Sequence, residues 1–275
     1  MAPAVGGTER LLTAGPSPAR ERDRTPADAV AAGHLREEDP PPVHDLRADW
    51  WEVGEQGETG SCVGWAVADS VLRRQLVAAG RLGEHEALSP RFVWMAAKEM
   101  RAKLSRASAA AGAWRPSTFL ERGLTDVKSG LDVTRFFGAA LEHDLRWHGR
   151  LHEGDVDAFY AGAAERRIAA YYRLDTDDDP ARWFATWRRW IAQHGPVLIV
   201  VGVDRCFGAG AARLDAFDLP AGEDPDLHAA ALVGYEPGAF RIRCSWGEDW
   251  ADGGHALAAE AWLEQGTYES YGVVI

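Results

Sequence analysis

The chain is poor in cysteine, with three in 275 residues. An odd number without staple-like spacing argues against a disulfide framework and for a reducing compartment, so the cytoplasm is the expected location. Long apolar runs are missing too. No stretch approaches the roughly 20 apolar residues that span a bilayer, and residues 1–20 lack the continuous apolar core of a secretory signal. Basic residues are outnumbered, 30 Lys and Arg against 42 Asp and Glu, giving a net charge of −12. That sign argues against nucleic acid or an anionic membrane as the main partner. No internal repeat is visible. What is present is an ordinary globular composition, 46% apolar and 26% charged. The length suits one large domain or two closely packed halves.

Residues 1–42 are rich in Pro, Ala, Arg and acidic side chains, with few large apolar ones. That composition predicts a flexible N-terminal arm, with one short helix capped by Thr25 and opened by Pro26. Beyond Pro40-Pro41-Pro42 the pattern turns globular. Gln56-Gly57-Glu58-Thr59-Gly60-Ser61-Cys62 leads into a helix in which Trp65, Leu72 and Leu76 recur at helical spacing, running to about Ala79. Cys62 sits at its first turn, where unpaired N–H groups and the helix dipole favour a thiolate. The competing reading is an inert buried cysteine, the usual fate of a lone one. Helix position alone leaves the two about even.

Further helices are predicted from Pro90 onward and over Gly130–Leu145, with a helix end and loop over Ala102–Gly112. From Ile168 the pattern changes. Ala169–Leu174 and Val197–Val203 read as strands, separated by a helix capped by Asp179. Trp183, Trp187 and Trp190 on that helix form a stripe, which is core far more often than a ligand site. The acidic run 175–179 is read as a solvated helix start, not a cation site. Phe207–Leu219 reads as a loop, with Cys206 structural at its edge. His228 stands in an apolar run ending at Val233-Gly234-Tyr235, a buried strand. Phe240–Gly247 alternates and reads as its hairpin partner. His85, His143, His148, His152 and His194 fall in loops or near helix ends and read as solvated. The spacing of His143, His148 and His152 does not place them on one helix face, so no metal is expected.

The paired Cys62 and His228 segments resemble the papain-like cysteine peptidases. That family's pattern has a Gln six positions before the nucleophilic Cys, as Gln56 stands to Cys62. It has His-Ala leading to Val-Gly-Tyr, as in His228-Ala229 and Val233-Gly234-Tyr235. It then has Asn-Ser-Trp-Gly with a later Trp and Gly, matched here by Ser245-Trp246-Gly247, Trp250 and Gly254. Leu88-Ser89-Pro90-Arg91-Phe92-Val93-Trp94 also resembles the family's segment after the nucleophile helix, and the likeness runs from about residue 43 to the C-terminus. The departures are Thr59, Val63, Leu227, Ala251 and, above all, Cys244 in place of the catalytic Asn.

The resemblance implies an α+β, two-lobed fold. A helical lobe (43–165) would carry Cys62 and an antiparallel, barrel-like β lobe (166–275) would carry His228, with the site in the cleft between them. It implies a peptidase with Cys62 as nucleophile and His228 as acid and base. Gln56 and the Cys62 N–H would form the oxyanion hole, Trp246 would cover the outer hydrogen bond of the imidazole from water, and Ser245 would be a further supporting residue. Leu227 and Ala229 would lie near a substrate-binding subsite. Cys244, a weak acceptor, would orient His228 poorly and weaken or specialise the enzyme. Joint metal binding by Cys62, His228 and Cys244, or a Cys62–Cys244 disulfide, is disfavoured against plain substitution by a small residue. The expected partner is a peptide or protein, with no cofactor. A transpeptidase or cyclase and an inactive binding module are the alternatives.

Overall fold

The computed structural model describes residues 12, 14–104, 125–220 and 222–275. Much of the loop expected over Ala102–Gly112 therefore lies outside the described residues.

Helix α1 (Pro26–Ala31) starts at Thr25, whose side chain and that of Asp28 bond each other's backbone N–H in a capping box. Strand β1 (His44–Asp45) follows. The long helix after Gly60-Ser61 has three segments: α2 (Cys62–Trp65), a π-helical stretch (Ala66–Arg73) and α3 (Arg74–Ala78). Within the wide stretch, the Trp51 indole N–H donates to the carbonyl of Asp69 at 3.0 Å. A side chain entering the ladder is a recognised cause of such a departure. Helices α4 (Pro90–Leu104), α5 (Val127–Phe136) and α6 (Val156–Ala164) complete the helical half. The helix expected over Gly130–Leu145 is shorter than predicted and ends at Phe136. Gly138 turns the chain at φ +84°, where a Cβ would lie 1.9 Å from the carbonyl oxygen of Ala163.

The rest of the chain alternates strands with short helices: β2 (Ala170–Arg173), α7 (Pro180–His194), β3 (Val197–Gly202), α8 (Arg205–Gly208), β4 (Arg213–Leu214), β5 (Leu227–Glu236), β6 (Ala239–Arg243), β7 (His255–Ala259), α9 (Glu260–Gly266) and β8 (Thr267–Val274). The segment read as a loop after Phe207 thus contains the end of α8 and β4. The sheet runs β2-β8-β3-β5-β6-β7-β4, with β1 on β5. Its pairings are antiparallel except β4 with β7. No pairing joins β2 to β4, so the sheet is open where a barrel-like closure was expected. Trp187 and Trp190 of α7 are buried as predicted. Among the described residues, no helix is long and apolar enough to cross a membrane.

The N-terminal segment corrects the sequence reading most. From residue 14 to Asp23 it is bound across both halves. Ala14 bridges Thr125, and the Gly15 N–H donates to Thr125 O at 2.8 Å. The Ser17 N–H donates to Glu269 at 2.7 Å, Arg20 pairs with Asp175, and Asp23 pairs with Lys128 and accepts from the Tyr271 hydroxyl at 2.9 Å. Ala29 and Leu35 join the core. A scarcity of large apolar residues hid this, because ionic contacts with distant residues do the holding.

Candidate active site

Gly60 and Ser61 stop the preceding segment and leave Cys62 as the first residue of α2, fully buried. The loop before it is braced internally: the Thr59 hydroxyl donates to Gln56 O at 2.7 Å and lies 2.6 Å from Ser61 Oγ. It is also zipped to the segment after β6. The Gln56 N–H donates to Ser245 O at 2.9 Å, Glu55 bridges Trp246, and the Gly247 N–H donates to Gly54 O at 3.1 Å. Gly247 has φ +75°, and a Cβ there would meet the Glu55 carboxylate at 2.5 Å. The Gln56 side chain is fixed at both ends. Its oxygen accepts from Ser245 Oγ at 2.7 Å, and its nitrogen donates to Thr59 O at 2.7 Å. The amide nitrogen carries a second hydrogen.

His228 is the second residue of β5 and is fully buried. Its Nε2 lies 3.2 Å from Cys244 Sγ. The rings of Trp246 and Phe207 flank it at centroid distances of 4.7 and 5.9 Å. Phe207 also stacks on Trp262 and packs tilted against Trp250, and the Trp262 indole N–H donates to Asp204 at 2.9 Å. Phe207 went unread in the sequence because it lies in the segment taken as a loop. Helix α2 packs against β5, so the helix opened by Cys62 lies on the strand that carries His228. Gln56, Ser245, Cys244, Trp246 and His228 are thereby gathered around one junction.

Leu227 and Ala229 flank His228, so their side chains take the opposite face of β5. Ala229 is 1% exposed and belongs to the core, while Leu227 is half-buried beside it. Among the described residues, Cys62, Cys206 and Cys244 form no disulfide. Burial, with Asp204 and Asp218 nearby, pushes the Cys206 thiol upward. Among the described residues, no group of three or more His, Cys, Asp or Glu could hold a metal ion.

A second polar cluster escaped the sequence reading. Arg243, next to Cys244, is completely buried. It donates to Trp51 O at 2.9 Å, Glu52 O at 2.7 Å and Asp69 Oδ2 at 2.7 Å, and its guanidinium lies 4.2 Å from the Trp51 ring centroid. Asp69 lies in the π-helical stretch and also pairs with Arg73 at 3.2 Å. The available signals were a second Arg, two residues after Arg241, in the alternating strand and an Asp amid Val67, Ala68 and Val71. Across the hairpin, Arg243 pairs with His255, whose Nδ1 bonds Gly253 O at 2.9 Å and whose Nε2 is buried without a partner. Burial, then the Arg243 charge, lowers the His255 pKa to about 4.

The chain shares its architecture with xylellain, a cysteine protease from Xylella fastidiosa, at TM-score 0.69 and 19% identity over 97% of each chain. The fold is papain-like. Procathepsin L 3 of Tenebrio molitor larval midgut superposes at TM-score 0.62 with 16% identity, over 88% of this chain and 72% of the other. The cysteine protease CMS1MS2 of Carica candamarcensis, solved with E-64, gives 0.54 and 19% over 85% of this chain and 98% of its own. No protein-family model matches the sequence, and no curated protein matches it. Within the papain-like frame, the residue beside His228 is Cys244, and the chain contains no asparagine at all.

Proposed function

We propose that the chain is a cysteine-type peptidase. Cys62 attacks the scissile carbonyl and forms a thioester, and His228 holds the thiol proton and later delivers it to the leaving amine. Since Nε2 is engaged with Cys244, the proton exchange falls to Nδ1. The Cys62 N–H and the second hydrogen of the Gln56 amide stabilise the oxyanion; one such donor is worth about 10²–10³ in rate. The observation that carries this reading is the bracing of Gln56 by Ser245 and Thr59, which aims an amide beside the residue that opens α2.

Cys244 sets the level of activity. A thiol is a weaker acceptor than an amide oxygen, so the imidazolium is held less firmly and turnover is modest. The three cysteines, which form no disulfide among the described residues, suit a reducing compartment, in keeping with a cytoplasmic enzyme acting on peptides or proteins. Transfer of the acyl group to an amine uses the same residues, and product masses distinguish ligation from hydrolysis.

The test pairs a peptide-library cleavage assay with alkylation by iodoacetamide across pH, on wild type and Cys62→Ala. Cleavage lost in Cys62→Ala, together with faster alkylation than an ordinary thiol near neutral pH, supports the reading. A Cys62 that alkylates no faster than a free thiol identifies the chain as an inactive binding module.

A further inference from the structure

Beside the candidate nucleophile lies a cavity of ≈ 310 Å³ whose wall includes Glu58, Gly60, Arg91, Trp94, Trp147 and His148. Its position follows from local sterics. A Cβ at Gly64 would come within 2.3 Å of Pro90 O and 2.8 Å of Trp94 Cβ, so glycine lets α4 close onto α2 and brings Trp94 to the loop before Cys62. The opposite wall is pinned to α4. Arg91 donates to Arg146 O at 3.1 Å and Gly149 O at 2.9 Å, and Ser89 Oγ donates to Leu145 O at 2.6 Å. Trp147 packs edge-on against Trp65 at 5.1 Å and tilted against Trp94 at 5.9 Å. The cavity is thus built in advance of any occupant.

We infer that this cavity receives an aromatic side chain of a peptide bound at the candidate active site. Gly60 is two residues before Cys62, so its Cα is within about 8 Å of that of Cys62, a gap that two or so extended substrate residues cover. Indole walls favour a ring through edge and offset contacts. A cation is disfavoured: the Lys98 ammonium already sits 3.7 Å from the Trp94 ring centroid, and the Arg91 guanidinium is part of the wall. Glu58 is exposed, and solvent screens it. Trp94 is 5% exposed and its indole N–H has no acceptor, which a carbonyl of the bound peptide supplies.

The peptidase reading enters only in making the occupant a peptide, and the experiment separates the two. Alanine peptides with one Phe, Tyr, Lys or Arg walked through each position are titrated against Cys62→Ala and offered to wild type for cleavage. One aromatic position should raise affinity roughly tenfold. Trp147→Ala should remove that gain and Trp147→Phe should retain it, with Trp147→Leu replacing the alanine variant if the latter fails to fold. The inference is overturned by an aromatic gain below about threefold at every position, by a gain that survives loss of the Trp147 ring, or by a larger gain from Lys or Arg. Ring-dependent binding without cleavage in wild type sinks the peptidase and keeps the pocket. Cleavage without aromatic preference does the reverse.

Discussion

Two buried histidines flank strand β6, and the groups that face them are neighbours in sequence. His228 on β5 meets the sulfur of Cys244, whereas His255 on β7 lies opposite the guanidinium of Arg243. One partner is a weak hydrogen-bond acceptor. The other is a fixed charge, satisfied by two backbone carbonyls and Asp69, that adds to the larger effect of burial in lowering its histidine's pKa. Rigidity is thus concentrated one residue away from the proposed chemistry. Arg243 ties β6 to the helix that starts at Cys62, and Cys244 inherits the resulting position.

The comparison is broken most severely at Arg243. Arg243→Met leaves the Asp69 carboxylate largely buried, with only Arg73 to meet it, and should cost about 3–5 kcal/mol in urea unfolding. Adding Asp69→Leu should recover most of that loss, because the uncompensated charge is gone. If the double variant stays as unstable as the single one, the two side chains do not act as a pair.

On the other face, Cys244→Asn should raise kcat on a generic peptide. An acceptor for the charged imidazole is worth roughly 1.5–3 kcal/mol, or about ten- to a hundredfold. The urea midpoint should fall modestly, because a buried thiol gives way to a larger amide whose polar atoms all need partners. An unchanged or lower rate would show a site adapted to the thiol.

His255 gives a pH test with a defined sign. Its folded pKa of about 4 lies below the ordinary value of 6.5, so between them the unfolded chain binds the extra proton. Stability is therefore intact above pH 6.5 and declines as pH falls toward 4, by about 2 kcal/mol between pH 7 and pH 5. His255→Gln should flatten this slope in urea midpoints measured at the two pH values. A slope equal to that of wild type would place the proton elsewhere.

The regions also differ in how far the sequence exposes them. Cys62 at a helix start, His228 on a buried strand and Ser245-Trp246 after its hairpin partner were legible as local patterns, whereas grouping them with Gln56 in one site rested on the papain-like resemblance. The two-lobed α+β architecture followed from that resemblance. The Arg243–Asp69 pair was not legible, since it joins residues far apart in sequence whose individual contexts look like ordinary core. The N-terminal segment misled for a related reason: composition measures apolar content, and Arg20 and Asp23 are held by charge. Helix α5 was overextended because Phe137, Ala140 and Leu141 continue its apolar rhythm past Gly138, where the backbone leaves helical space.

The wide turn between Ala66 and Arg73 carries one last implication. Such a turn stores a surplus residue relative to α-helical winding, and each α-helical residue advances the spiral by about 100°. Uniform winding through the stretch would swing the sulfur of Cys62 a quarter-turn around the axis while Gln75, anchored to Val273 and His194, stayed put. The bulge therefore works as a phase adjuster, letting one rod present its reactive tip and its anchored tail to surfaces that do not share a common pitch.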